Sequence, residues 1–532
     1  MNNPSGNRAL ETAKLTLREM AGQLFMPAAF INDTESEIQQ LELLIREYGP
    51  GGLCFFHSRA SAATNFEGKK KIQFNANSLD RLKELISRYQ AVSKYPLLIA
   101  MDAEWGLAMR VENTPQYPFA LALGAMADNN PLLYETGLRM AQDCRNAGIH
   151  WNLAPVVDCN TNPNNPVIGY RSFGSRVHAV AAKAKLVFEG MRDGGLLTCA
   201  KHFPGHGDTA VDSHLALPVL EKTIEALELE ELIPFKDLID AGIPAVMTGH
   251  LSVPAIDPSG TPASLSKPII AGLLRQKLEF TGLVITDALN MHAVSKRHDQ
   301  PGMTAFTAFA AGNDMLCFAE HIPEALELIL QDGDTEGIAE RYNRIWNTKQ
   351  EVFSPNRTLK VSELTPESLN EKLGLACFTN LGPLDFSSFP KAEPFTLLDS
   401  GTQTQIFSNR IKNEAPPKIS IAWDWSSDNA SAFPIPDTHR VLLALAPPSI
   451  KPPNRFGISD VALQALAKLL ETREVWVFHF GNPYALSVLN LHSVAGVVVA
   501  YQHLPEFQSV AANHFLYNTG LSGVLPFDLL ER

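Results

Sequence analysis

Fourteen consecutive residues, Lys201-His202-Phe203-Pro204-Gly205-His206-Gly207-Asp208-Thr209-Ala210-Val211-Asp212-Ser213-His214, hold one lysine, three histidines and two aspartates. Histidine titrates near neutral pH and can pass a proton either way. Aspartate can attack, accept or orient, and lysine supplies a fixed positive charge. The run follows the apolar Leu196-Leu197-Thr198-Cys199-Ala200. Its titratable groups therefore begin where a buried strand ends and a loop starts, which is where parallel α/β proteins keep their active sites. Turn capping or plain solvation competes for any one of these side chains, but a cluster of this density points to chemistry.

Positioning such a cluster needs a framework, and the hydrophobic rhythm of the first two thirds of the chain supplies one. Short apolar runs at Gln23–Phe30, Gly52–Phe56, Leu97–Met101, His150–Val157, Leu196–His202, Ala245–Gly249, Leu283–Thr286 and Asp314–Phe318 read as strands. Helical patterns lie between them at Glu35–Tyr48, Asp80–Val92, Pro131–Ala147, Val177–Arg192, Ile224–Ala241 and Pro268–Leu278. Several close on glycines, such as Gly148, Gly194 and Gly242. This alternation predicts a (β/α)8 barrel of the TIM type. A barrel demands that its working residues collect at the C-terminal ends of different strands. Asp102, Asp158, Lys201 with His202, His250 and Asp287 each follow a largely apolar run, as that demand requires. Gly205 and Gly207 would serve as hinges for the loop beyond Lys201.

The rhythm breaks after Phe353. The barrel is assigned to residues 1–353, and a polar linker with Pro355 and Pro366 to 354–372. Residues 373–532 carry strand patterns at Phe395–Leu398, Ile419–Trp423, Val441–Leu445, Val475–Phe480 and Val497–Ala500, with a helix at Ser459–Glu471. These predict a smaller α/β sandwich domain with a parallel sheet.

Composition narrows the function classes. The chain has 532 residues, of which 45% are hydrophobic and 19% charged, as expected of a globular protein with two or more cores. Lys plus Arg number 44 against 57 Asp plus Glu, a formal charge of −13, which speaks against nucleic acid as a partner. Lys69-Lys70-Lys71 reads as a solvated loop face. Met1 to Leu17 is polar without an apolar signal core, and no later run reaches transmembrane length. A cytoplasmic location and no membrane partner are expected. Cys54, Cys144, Cys159, Cys199, Cys317 and Cys377 read as small core residues, neither disulfides nor a zinc site.

Three motifs together resemble glycoside hydrolase family 3, in the branch of exo-acting β-N-acetylglucosaminidases. They are Lys201-His202-Phe203-Pro204-Gly205-His206-Gly207, Asp212-Ser213-His214 and Ile285-Thr286-Asp287-Ala288-Leu289. Gly481-Asn482-Pro483-Tyr484 and Gly523-Val524-Leu525-Pro526 look like landmarks of the family's second domain, so the resemblance runs over nearly the whole chain. The Asp-Ser-His element discriminates most, because β-glucosidases of the family generally take their acid/base from another domain. The resemblance implies Asp287 as nucleophile, His214 as acid/base and Asp212 as the residue that orients it. It further implies a sugar-binding shell of Asp102, Arg110, Arg171, Lys201 and His202, with His250 beside them. No cofactor and no metal are implied.

The expected substrate is a small carbohydrate with a terminal N-acetylglucosamine, from cell-wall muropeptide recycling or from chitooligosaccharides. A monomer or weak homodimer is expected. The branch usually has Asp-Gln-Glu-Gly-Gly after strand three, where this chain has Asp102-Ala103-Glu104-Trp105-Gly106. Trp105 could stack on a sugar or pack a helix. The insert Ser58–Ser78 could border the site and select leaving groups. Four alternatives stand beside this reading: a phosphorylase, a β-glucosidase of the same family, a metal-dependent barrel hydrolase using His206, Asp208, Asp212 and His214, and a non-catalytic sugar-binding protein.

Overall fold

A computed structural model describes residues 15–59, 73–209, 217–427, 437–489 and 494–528. The chain packs as two compact units. One comprises Met1–Gln116, Leu133–Cys159 and Ala184–Glu363, the other Tyr117–Leu132, Asn160–Lys183 and Leu364–Arg532. This division differs from the expected one. Two short segments of the N-terminal half group with the C-terminal part, and the helix Pro366–Cys377 occupies the end of the supposed 354–372 linker. That helix has ordinary start signals. The Thr365 side chain accepts from the Ser368 N–H, and Pro366 sits in the first turn, where its missing N–H costs nothing.

The first unit is built on β1 (Phe25–Met26), β2 (Ala28–Phe30), β3 (Gly52–Phe56), β4 (Leu98–Met101), β5 (Trp151–Asn152), β6 (Ala200–Phe203), β7 (Ala245–Thr248), β8 (Leu283–Thr286) and β9 (Leu316–Cys317). All pairings are parallel, in the orders β2-β3-β4-β5, β6-β7-β8 and β1-β9. Bridges Trp151–Leu197 and Val156–Lys201 join β5 to the β6 run, and Ile285–Met315 joins β8 to β9. Only Pro27 separates β1 from β2. Lacking an N–H, it interrupts the ladder, so β1 serves β9 on one side and β2 serves β3 on the other. Counting β1 and β2 as one strand, eight parallel strands close into a ring, as a (β/α)8 barrel requires.

Phe25, Cys54, Ala100, Trp151, Cys199, Met247, Ile285 and Cys317 belong to one buried core cluster of this unit. Removing their apolar surface from water is the main drive for closure. All six cysteines are free and buried, and a hydrogen bond between Cys54 and Cys317 helps push the Cys317 thiol well above its ordinary range. The surrounding helices follow their sequence signals. Glu35–Tyr48 opens with a Thr34/Glu37 capping box and stops at Gly49 in the left-handed conformation. The expected helix Ile224–Ala241 is instead two, Ile224–Leu229 and Leu232–Asp240. Pro234 cannot donate to residue 230 and its ring crowds that carbonyl, so the first helix ends there.

The second unit contains β10 (Thr379–Asn380), β11 (Phe395–Asp399), β12 (Ile419–Ala422), β13 (Arg440–Leu445), β14 (Glu474–His479) and β15 (Gly496–Val499), ordered β10-β15-β14-β13-β11-β12. Five are mutually parallel, and β10 runs antiparallel to β15. Helices Pro366–Cys377, Gln405–Glu414, Asp460–Thr472 and Pro505–Tyr517 accompany the sheet. Phe386, Phe389, Trp476, Phe478 and Phe515 form a core of largely edge-to-face ring contacts. Asn482 shapes the turn after β14, accepting from the Tyr484 N–H at 3.0 Å and donating to the Ile450 carbonyl at 2.9 Å. Among the described residues, no helix is long and apolar enough to cross a membrane.

Candidate active site

The site begins on β4 and β6. Asp102 follows β4, and Lys201, buried within β6, donates from Nζ to Asp102 Oδ1 at 2.8 Å and to Glu104 Oε1 at 2.7 Å. Arg110 Nη2 donates to the second Asp102 oxygen at 3.0 Å, and its guanidinium lies 5.2 Å from the Phe56 ring centroid. Burial would raise the Asp102 pKa, but Lys201 and Arg110 prevail and hold the carboxylate ionised, below its ordinary value.

Asp158 organises the next loop. It is buried and accepts from the backbone N–H of His202 at 3.2 Å and of His206 at 2.7 Å, and its Oδ2 lies 2.7 Å from His202 Nδ1. The contact places a proton on His202 Nδ1 and leaves Nε2 to define the opposite side of the ring. Burial pushes the Asp158 carboxyl up, and the pull of His202 and His206 brings it below its ordinary value.

Two glycines let this loop pack. Gly205 has φ +127°, and a Cβ on Gly207 would stand 1.7 Å from the Cys159 carbonyl oxygen. In the described part of the loop these glycines allow close approach. Thr209 Oγ1 contacts His206 Nδ1 at 2.6 Å and donates to the His206 carbonyl at 2.9 Å, while Asp208 pairs with Lys222 at 3.4 Å. Asp212 and His214 lie outside the described residues. Among the described residues no group of three or more His, Cys, Asp or Glu is placed to hold a metal ion.

Asp287 follows β8. Its N–H donates to the Thr248 carbonyl at 2.9 Å, and its Oδ1 accepts from the Ala288 N–H at 2.7 Å. Burial opposes its charge, but the fields of His250 and His202, the Ala288 N–H and Lys201 bring its pKa down to about 2. His250 was expected to hold sugar directly, and here the protein itself engages both ring nitrogens. Nε2 donates to the Ala288 carbonyl at 2.9 Å, and Nδ1 lies 2.7 Å from Ser264 Oγ. It thereby links the segment after β7 to the Asp287-Ala288 turn.

Asp102, Arg110, Lys201, His202, His250 and Asp287 all lie in the first unit, and all but Arg110, which follows the turn Leu107–Met109, are on or just beyond C-terminal strand ends. Arg171 belongs to the second unit, at the end of the turn Gly169–Arg171, where Nη1 donates to the Val167 carbonyl at 3.4 Å. Glu104 was absent from the site residues read out of the sequence, and Asp158 was singled out at a strand end without a role. Asp158 already had its signal, as the polar residue ending a strand. Glu104 had only its spacing, two residues beyond Asp102.

Comparison with known proteins places this arrangement. A family model described as the Glycosyl hydrolase family 3 N terminal domain matches residues 16–348. Over 291 residues the chain is 34% identical to beta-hexosaminidase A of Pseudoalteromonas piscicida, covering 52% of this chain and 47% of that one, so the match spans about half the relative's length. It is 37% identical over 263 residues to a beta-hexosaminidase of Alkalilimnicola ehrlichii, covering 48% of this chain and 74% of that one. The solved family 3 beta-N-acetylglucosaminidase of Paenibacillus sp. FPU-7 superposes with a TM-score of 0.79 at 26% identity, over 97% of this chain and 99% of that one.

Proposed function

The chain belongs to glycosyl hydrolase family 3, and from that premise we propose that it is a retaining exo-β-N-acetylglucosaminidase acting on small N-acetylglucosamine-terminated saccharides. The observation that carries the reading is Asp287, a buried carboxylate at a barrel strand end, held ionised by the fields of His250, His202 and Lys201 and by the Ala288 N–H. A general acid must hold a proton at working pH, whereas a nucleophile must not, and a carboxyl titrating near 2 suits only the second role.

In the first step Asp287 attacks the anomeric carbon while the bond to the leaving oxygen breaks, and His214 gives that oxygen its proton. Water then attacks the same carbon, returns a proton to His214 and frees the Asp287 carboxylate. Two inversions give net retention. Asp212 would orient the His214 ring. Asp102, held from two sides by Lys201 and Arg110, presents acceptor oxygens to sugar hydroxyls, and Lys201 and His202 complete the recognition of one terminal ring. Arg171 enters the proposal as a further clamp, and His250 as the residue that positions Asp287. We place the enzyme in the cytoplasm as a monomer or weak homodimer, needing neither metal nor cofactor.

The test is p-nitrophenol release from the β-N-acetylglucosaminide and the β-glucoside side by side, each with and without phosphate. Turnover of the acetamido sugar alone, giving free N-acetylglucosamine, is expected. Preference for the glucoside, or a sugar 1-phosphate product, would sink the proposal.

A further inference from the structure

A second feature of the barrel rim bears on which saccharide is cut. Beyond β2 and β3 lies an open cavity of about 460 Å³, walled by Asn32, Asp33, Phe74, Asn75, Asn77 and Arg81. It lies on the same rim as Asp102, because Asn32 and His57 directly continue β2 and β3, neighbours of β4 in the ring. Adjacent strands lie about 5 Å apart, so Asn32, just beyond β2 and two strands from β4, is set back from Asp102 by roughly 10 Å. Contacts run between them. Asn32 Nδ2 is 3.4 Å from His57 Nε2, His57 follows Phe56, and Phe56 carries the Arg110 guanidinium that holds Asp102.

The cavity wall is held in place. Glu112 Oε1 accepts from the Asn75 N–H at 3.0 Å and lies 2.5 Å from His57 Nε2, and Asn75 Nδ2 donates to Asn32 Oδ1 at 2.7 Å. Phe74 is nevertheless 67% exposed. Beside the cavity, His57 Nδ1 and Glu112 Oε2 are buried with no hydrogen-bond partner among the described residues. Around it Asp33 pairs with Arg59 and Arg81 with Glu84, and Glu112 is hydrogen-bonded to His57. Among the described residues, what remains is an exposed aromatic face with side-chain amides around it. Such a surface suits a neutral sugar ring, whose apolar face stacks and whose hydroxyls and acetamide take up the amides.

We infer that this cavity is a leaving-group-side subsite for a neutral N-acetylated hexose, and that it favours chitooligosaccharides over saccharides carrying a carboxylate. The inference rests on the exo-glycosidase reading above, since an enzyme holding the terminal sugar at Asp102 has only the leaving-group side left for further rings.

The test compares wild type with Phe74→Ala on three substrates: the p-nitrophenyl β-N-acetylglucosaminide, chitotriose, and N-acetylglucosamine linked to N-acetylmuramic acid. Loss of one stacking ring should lower kcat/KM on chitotriose about tenfold more than on the aryl glycoside. Wild type should prefer chitotriose to the acidic disaccharide. Equal losses on both neutral substrates, or preference for the acidic one, would overturn the subsite. Wild-type silence on all three would overturn the hydrolase reading instead. The subsite then stands or falls on chitotriose binding by calorimetry, which Phe74→Ala must weaken.

Discussion

Lys201 and Lys349 are both buried in the barrel unit, at 1% and 0% exposure, yet their surroundings differ. Lys201 meets two carboxylates, Asp102 and Glu104. Lys349 meets one neutral amide oxygen, Gln23 Oε1 at 2.6 Å, and burial brings its pKa down to about 7. Burial and the neighbouring charges of Lys349 and Arg357 likewise hold His150 down at about 4. One lysine is thus compensated and held as a charge, and the other is pressed toward neutrality. The difference separates a place where charge is organised for use from one where it is merely tolerated, and burial alone would not have told them apart.

The comparison can be tested from the catalytic side first. Asp287→Ala should reduce turnover on the order of 10⁴-fold with any leaving group, since no glycosyl-enzyme can form. Substantial remaining activity would remove the nucleophile, and with it the purpose of the surrounding charges. Lys201→Met should leave Asp102 and Glu104 close together with only Arg110 in compensation. A stability loss of about 3–5 kcal/mol in urea unfolding is expected, with kcat/KM falling roughly 10²-fold.

Lys349→Met should leave activity intact and show itself only in the pH dependence of stability. Between pH 7 and 10.5 the unfolded lysine keeps a proton that the folded one has released, so wild-type stability rises with pH across that window. The variant should lack this rise, which urea titrations at pH 6.5 and 8.5 would detect. Equal slopes in the two proteins would mean that Lys349 is charged after all.

Much of this was legible in the chain. Gly52–Phe56 and Leu283–Thr286 appear at the expected bounds, because a short apolar run closed by a polar residue has few other uses in a barrel. His150–Val157 shortens to Trp151–Asn152, since Pro155 cannot donate to a ladder. Thr379–Asn380 left no trace, two residues being too few to show a period. The helix at Pro366–Cys377 is readable from Thr365 and Pro366, but a polar stretch bearing Pro355 and Pro366 reads equally as a linker. In the candidate site, strand-end position in the sequence singled out Asp102, Lys201 and Asp287, and the structure places them on or directly after β4, β6 and β8. The double engagement of His250 could not be foreseen, because Ser264 lies fourteen residues away and Ala288 thirty-eight.

Asp158 has a consequence for how this loop meets water. One carboxylate takes the backbone hydrogens of His202 and His206, tying the segment after β5 to the end of β6 and the start of the histidine-rich run. Loop amides usually trade their hydrogens with solvent quickly, because nothing must unfold to expose them. These two can do so only when the segments around β5 and β6 separate, so their deuterium uptake reports the opening of the barrel wall and not the fraying of a surface loop.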